Sequence, residues 1–283
     1  MKNNLVKHSL VVAAVTVLLV AGVLQAQQPA DANGKEDSTL ALQKATQNPI
    51  ANLISLPFQS NFNFGQGGEG ASREQTQYIL NIQPVIPFSL NEDWNLITRT
   101  IVPIISQPSL FSGMESAWGL GDINPQFYFS PAKPGEWIWG VGPTFTFPTA
   151  TDETLGQQKY SAGPGAVVLK MEGPWVYGAL ANNQWSYAGW GNQNVDQMLI
   201  QPFVNYNMSK GWYLVSSPVI TANWEADSGN QWTLPVGGGV GRLFRMGKMP
   251  VNMQLAAYYN VEKPDYVGAD WQLRFQIQFL FPK

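Results

Sequence analysis

Cysteine is absent from the 283-residue chain, and histidine occurs once, as His8. Without cysteine there is no disulfide staple and no thiolate metal site. Charge is scarce too: Lys, Arg, Asp and Glu make up 12% of the residues, no more than the aromatics, where a soluble domain carries about 25% charged residues. A surface so short of charge points to a surrounding medium that is not water alone. Past residue 26 no apolar run reaches the roughly 18 residues that a membrane-spanning helix needs. Any crossing must then be made by strands.

The first residues read as an export signal. Lys2, Lys7 and His8 give a basic start, Leu10 to Leu24 is apolar, and Leu24-Gln25-Ala26 offers a cleavage site before Gln27. A retained anchor is the rival, but the apolar stretch is short and no basic stop follows it. Cleavage takes His8, Lys2 and Lys7 away and leaves 14 basic against 19 acidic residues, a net charge of −5. That balance argues against nucleic acid as a partner. Loss of the only histidine excludes Ser-His and Asp-His hydrolysis and makes a zinc or iron site improbable, so no metal, cofactor or enzymatic activity is expected. The acidic neighbours Asp152 and Glu153, and Glu225 and Asp227, leave carboxylate catalysis formally open, but they fall in external loops where acids are ordinarily solvated.

What is present is alternation at period two. Ile54, Leu56, Phe58, Phe62 and Phe64 oppose Ser55, Gln59, Asn61 and Asn63; Trp271, Leu273, Phe275, Ile277, Phe279 and Phe281 oppose Gln272, Arg274, Gln276 and Gln278. Similar runs lie near 76–89, 94–104, 119–130, 137–148, 160–170, 175–185, 195–206, 212–224, 231–242 and 250–260. With 53–64 and 271–281 they make about twelve strands. Most have ten or more residues, against about 5–6 in soluble strands and about 9–11 for a tilted strand crossing a bilayer. Connections alternate between long (65–75, 105–118, 149–159, 186–194, 225–230, 261–270) and short (90–93, 131–136, 171–174, 207–211), with 243–249 intermediate. Even strand number, short periplasmic turns and longer extracellular loops predict an all-β, transmembrane antiparallel β-barrel over residues 51–283.

Four short turns end in tryptophan: Trp94, Trp137, Trp175 and Trp212. At one level they predict an aromatic girdle at a lipid interface; four core tryptophans of a soluble hairpin array are the alternative. Their spacing of about 40 residues also fits a propeller repeat, but a blade puts four short strands into that period and here there are two long ones. Pro84, Pro87, Pro103, Pro125, Pro143, Pro202, Pro218 and Pro235 fall inside the proposed strands, which predicts bulges or breaks there. Gly237-Gly238-Gly239-Val240-Gly241 lacks the Lys-Ser or Lys-Thr of a phosphate loop and reads as relief of crowding in a wall.

Residues 27–50 form a polar leader with a short helix from Ser38, ended by Asn48-Pro49. It serves either as a disordered or periplasmic leader or as a plug folded into the barrel. If the apolar faces meet lipid, the lumen receives Gln59, Asn61, Asn81, Gln83, Arg99, Asp122, Asn124, Gln126, Gln201, Asn205, Gln254, Arg274 and Gln276, with Tyr128, Tyr213 and Tyr258 as inward aromatics. Amides suit neutral hydrogen-bonding solutes, or a lumen filled by side chains bonding one another, and Arg99, Asp122 and Arg274 are candidates for ion pairing across it. Twelve strands lie between the filled eight-strand and the open 16–18-strand regimes.

Several runs also resemble a known family: Trp118-Gly119-Leu120-Gly121-Asp122-Ile123; Gly140-Val141-Gly142-Pro143 leading to Phe147-Pro148-Thr149-Ala150-Thr151-Asp152; Leu155-Gly156; Ser161-Ala162-Gly163-Pro164-Gly165; and Asn48-Pro49-Ile50-Ala51. Their order resembles that in the outer-membrane proteins associated with the meta-cleavage pathway of phenol degradation. The resemblance implies a barrel and uptake of aromatic compounds, and carries no catalytic residues. The chain is thus expected in the bacterial outer membrane, with lipid, the barrel-assembly machinery and a small organic solute as partners. The expected function is a passive channel; the alternative is a closed barrel acting as adhesin or scaffold through its loops.

Overall fold

The computed structural model describes residues 32–67, 74–265 and 267–281; the export segment lies outside them. The chain divides into units 1–38 and 39–283, and the second holds the whole sheet. Its strand segments are β1 (Ile54–Gln66), β2 (Gln75–Ile82), β3 (Val85–Ser89), β4 (Trp94–Gln107), β5 (Ala117–Leu120), β6 (Asn124–Pro131), β7 (Trp137–Thr146), β8 (Lys159–Glu172), β9 (Trp175–Gly189), β10 (Asp196–Asn207), β11 (Trp212–Ser216), β12 (Ile220–Asn223), β13 (Trp232–Met246), β14 (Met249–Glu262) and β15 (Trp271–Phe281). β2 with β3, β5 with β6 and β11 with β12 are halves of single staves, so the segments make twelve staves. Each pairs antiparallel with its neighbour in sequence, and β1 pairs with β15 from Ile54–Phe281 to Phe64–Trp271. That seam closes the sheet into an up-and-down barrel and excludes a propeller.

The prolines explain the halved staves. Pro84 and Pro218 sit in two of the three breaks, where a missing N–H would leave a hole in the ladder. At the first break Gln83 N donates to Pro57 O at 2.9 Å and Thr100 N to Pro84 O at 3.2 Å. Pro235 sits at a register shift between β13 and β14. Pro143 and Pro164 face one another across β7 and β8, and beside them β6 and β7 pair at Gln126–Thr144 and Phe129–Val141 on one unbroken register.

The barrel is inverted relative to a water-soluble fold. Phe88, Val141, Val168, Leu214, Val240 and Leu255 stand exposed on the outside, while Asn61, Gln83, Gln126, Asn205, Asn252, Arg274 and Gln278 are buried inside. Large apolar side chains on the outer face and amides within are the arrangement of a wall bathed in lipid.

Inside, tyrosines lie on glycines. A Cβ added at Gly241 would overlap the Tyr213 ring, and one at Gly165 would stand 3.2 Å from Tyr128 Cε1. Tyr213, Tyr128 and Tyr258 are fully buried. Gly241 of β13 therefore makes room for an aromatic ring packed against the wall. Gly241→Val should cost about 1–3 kcal/mol through overpacking and lower the temperature at which the folded, fast-migrating band is lost in gel electrophoresis; an unchanged transition would mean the ring has room to shift.

Candidate functional site

Residues 39–53 enter the barrel at its short-turn end. α1 (Ala32–Gln47) begins ahead of the Ser38 start that the sequence suggests and stops before Asn48-Pro49, where Asn48 Oδ1 accepts from Ile50 N at 2.9 Å and turns the chain inward. Gln43 is buried; its Nε2 donates to Gly211 O (3.1 Å) and Trp212 O (2.9 Å) in the turn before β11. Gln47 and Asn207 exchange side-chain bonds of 2.8 and 3.0 Å. Leu42 and Ala45 pack on Ala51, Leu53, Leu243 and Leu280. Ile50 inserts further, among Ile97, Tyr128, Val167, Leu169, Leu180 and Phe203. This segment is a plug with both polar and apolar anchors.

Above the plug lies a cavity of about 140 Å³. Gln59, Gln83, Arg99, Gln201, Asn205, Gln254, Arg274 and Gln276 line it, residues 45–49 form part of its wall, and Val85, Phe203 and Val215 add apolar surface. Asn124 and Gln126 belong instead to a wider vestibule of about 1020 Å³ on the long-loop side, shared with Gln184, Gln197, Glu225 and Asp227. Asn61 is buried and accepts from Arg274 Nε at 3.3 Å. Asn81 stands opposite Gln59 in the β1–β2 register.

Asp122 departs from the expectation. It lines neither space and pairs with neither arginine. Its carboxylate accepts from Ala150 N (3.2 Å) and Gln157 N (2.7 Å). Around it, Ile123 N donates to Thr149 Oγ1 (2.9 Å), Leu120 N to Thr151 Oγ1 (3.1 Å), and Thr149 Oγ1 to Gly121 O (3.0 Å). A Cβ at Gly119 or Gly156 would collide with this knot. The Gly-Leu-Gly-Asp run and the Thr-Ala-Thr-Asp run are therefore two halves of one brace that folds an external loop onto the rim. Asp152 belongs to the same loop. It caps the turn Glu153–Leu155, and bonds from Thr154 N and Oγ1 hold its carboxyl below the usual carboxylate range.

Of the four turn tryptophans, Trp94, Trp137 and Trp175 are exposed on the outer face. Trp212 is half-buried, with the Arg242 guanidinium 5.0 Å from its ring centroid. A second aromatic level, absent from the sequence reading, lies at the other end: Trp118, Trp185, Tyr187, Tyr259 and Trp271 are exposed there. Trp175 and Trp185 share one face of β9. The ten residues between them span about 33 Å of strand, or about 25 Å of height at a tilt near 40°, the height of a barrel's apolar band. The signal was available in β9, where Trp185 stands ten residues up the strand from Trp175.

Against solved structures, the COG4313 outer membrane channel from Pseudomonas putida F1 superposes with a TM-score of 0.62 at 16% identity, covering 90% of this chain and 100% of that one. The fold is that of an outer-membrane β-barrel. The CymD monoaromatic hydrocarbon channel (TM-score 0.46, 9% identity, 87% and 92% covered) and outer membrane phospholipase A from Escherichia coli (0.38, 12%, 88% and 98%) stand too far off for their likeness to carry an argument. No family model and no curated protein matches the sequence.

The barrel's interior also differs from the mostly amide lumen read from the sequence. Ile97, Val167, Leu169, Val176, Leu180 and Phe203 form an apolar wall on one side, against which Ile50 rests. Alternation fails there: Ala166-Val167-Val168-Leu169 is apolar on both faces, because one side meets the outside and the other meets the plug. Each neutral hydrogen bond of the plug contributes about 0.5–1.5 kcal/mol. Gln43→Ala with Gln47→Ala should therefore speed amide exchange over residues 39–47 by about tenfold or more while β8 and β9 stay protected; equal protection would show that the apolar contacts alone hold the segment.

Proposed function

We propose that this chain is a passive outer-membrane channel for small organic solutes, aromatic ones included, whose periplasmic mouth is closed by residues 39–53. The observation that carries it is the lumen itself: a vestibule on the long-loop side and, toward the short turns, a cavity lined mostly by amides with Val85, Phe203 and Val215 among them, stopped by a segment held through a few side-chain bonds. Such a surface suits a molecule with a flat apolar body and one polar group. In this reading the short turns face the periplasm, the braced loops face outward, and the two aromatic levels mark the lipid interfaces. That a fold-mate is an outer membrane channel supports conduction, and the resemblance to phenol-pathway proteins supports the solute class. Enzymatic hydrolysis is no part of the reading, since residues 27–283 contain no histidine.

A closed barrel that acts through its loops is the second reading, favoured by the depth at which Ile50 is buried. Planar-bilayer recording separates the two. The full chain should show small, intermittent openings, and Gln43→Ala with Gln47→Ala should raise the open fraction several-fold. Silence from both proteins, with no swelling of solute-loaded liposomes, rejects the channel.

A further inference from the structure

Two arginines face the cavity above the plug, and neither meets a carboxylate. Arg274 is held by neutral acceptors: Nε donates to Asn61 Oδ1 (3.3 Å), Nη1 to Ser217 O (2.8 Å) and Nη2 to Gln272 Oε1 (2.9 Å), with the guanidinium 4.8 Å from the Tyr258 ring centroid. Arg99 donates from Nη2 to Gln83 Oε1 at 2.6 Å, its one side-chain hydrogen bond among the described residues. Ion pairs among the described residues join Lys170 to Glu136 and Glu172, and Lys263 to Asp270; none includes Arg99 or Arg274. The one acid placed nearby by sequence, Asp122, is spent on the loop brace.

A guanidinium stays charged and carries five N–H donors in a planar fork that matches a carboxylate. Arg99 is thus a held, positively charged fork with donors to spare. Neutral partners orient it and leave its charge uncompensated, an arrangement costly in a barrel interior unless an anion completes it. Phe203, Val85 and Val215 line the same cavity. Its volume of about 140 Å³ compares with the roughly 150 Å³ of a protein cavity known to take up benzene, so one ring fits and a long acyl chain does not.

We propose that this cavity binds a small aromatic carboxylate, the anion on the Arg99 fork within the field of Arg274 and the ring against Phe203. The site rests on the channel reading for its place on a solute path, but its occupancy is measurable without conduction.

The test is equilibrium binding to the detergent-solubilised full chain, with benzoate, its neutral isostere benzamide, and acetate as probes. Benzoate should bind about tenfold more tightly than either, since charge and ring each contribute. Arg99→Gln should abolish that preference over benzamide, and Arg99→Lys, which keeps the charge but not the fork, should retain part of it. Equal affinity for benzamide overturns the anion site, equal affinity for acetate overturns the ring contact, and no binding overturns both. These comparisons on the unaltered chain stand even if a variant fails to fold. Benzoate binding without conductance would remove the channel and keep the site; conductance without benzoate preference would do the reverse.

Discussion

In hydrocarbon there is no water to satisfy a backbone amide, so every strand edge must be sealed by another strand. The β1–β15 seam meets that demand, and much else in the molecule follows from it. A closed sheet has no edge on which to place a proline: Pro84 and Pro218 fall at breaks, Pro235 at a register shift, and Pro143 opposite Pro164, whereas Pro87, Pro103, Pro125 and Pro202, where the sequence predicts bulges or breaks, are carried within paired strands without a register shift. The backbone groups freed at the third break are taken up by side chains: Ser217 N donates to the Tyr258 hydroxyl at 3.2 Å, and Ser217 O accepts Arg274.

Closure also makes an interior whose polarity is chosen stave by stave. One arc presents amides and two cations, and the other presents aliphatic side chains to the plug. The buried tyrosines join the two, each an apolar ring with a hydroxyl that finds a partner: Tyr128 donates to Gln126 Oε1 (3.1 Å) and Tyr213 to Asn252 Oδ1 (2.9 Å). The result is an interior that is polar on one side and apolar on the other, with Ile50 seated on the apolar side.

The twelve staves were legible because lipid outside and amides inside impose alternation at period two, as the runs 53–64 and 271–281 display. Stave breaks were legible only as awkward prolines, since nothing local tells whether Pro84 interrupts a strand or Pro103 is absorbed within one. Most lumen candidates could be named by parity, and they divide between the cavity and the vestibule. Asp122 could not be placed that way, because it lies in a break where parity no longer applies and its partners come from a loop about 30 residues on. The apolar arc escaped because a stretch such as Val167-Val168-Leu169 hides its inward members among equally apolar outward ones. The plug could be offered only as one of two roles for residues 27–50, because its anchors are single glutamines in a polar segment.

Those anchors have a consequence for the order of assembly. Gln43 and Gln47 find their partners 160 to 169 residues further along the chain, so the stretch made early must wait for β10, β11 and the turn between them before it has anything to grip. Contacts at such separation form late, because the entropy of drawing distant points together must first be overcome. A greasy stretch left waiting that long would invite aggregation. A stretch such as Ser38-Thr39-Leu40-Ala41-Leu42-Gln43-Lys44, with only three apolar side chains flanked by polar ones, can bide its time in water and then seat itself in a vessel already built.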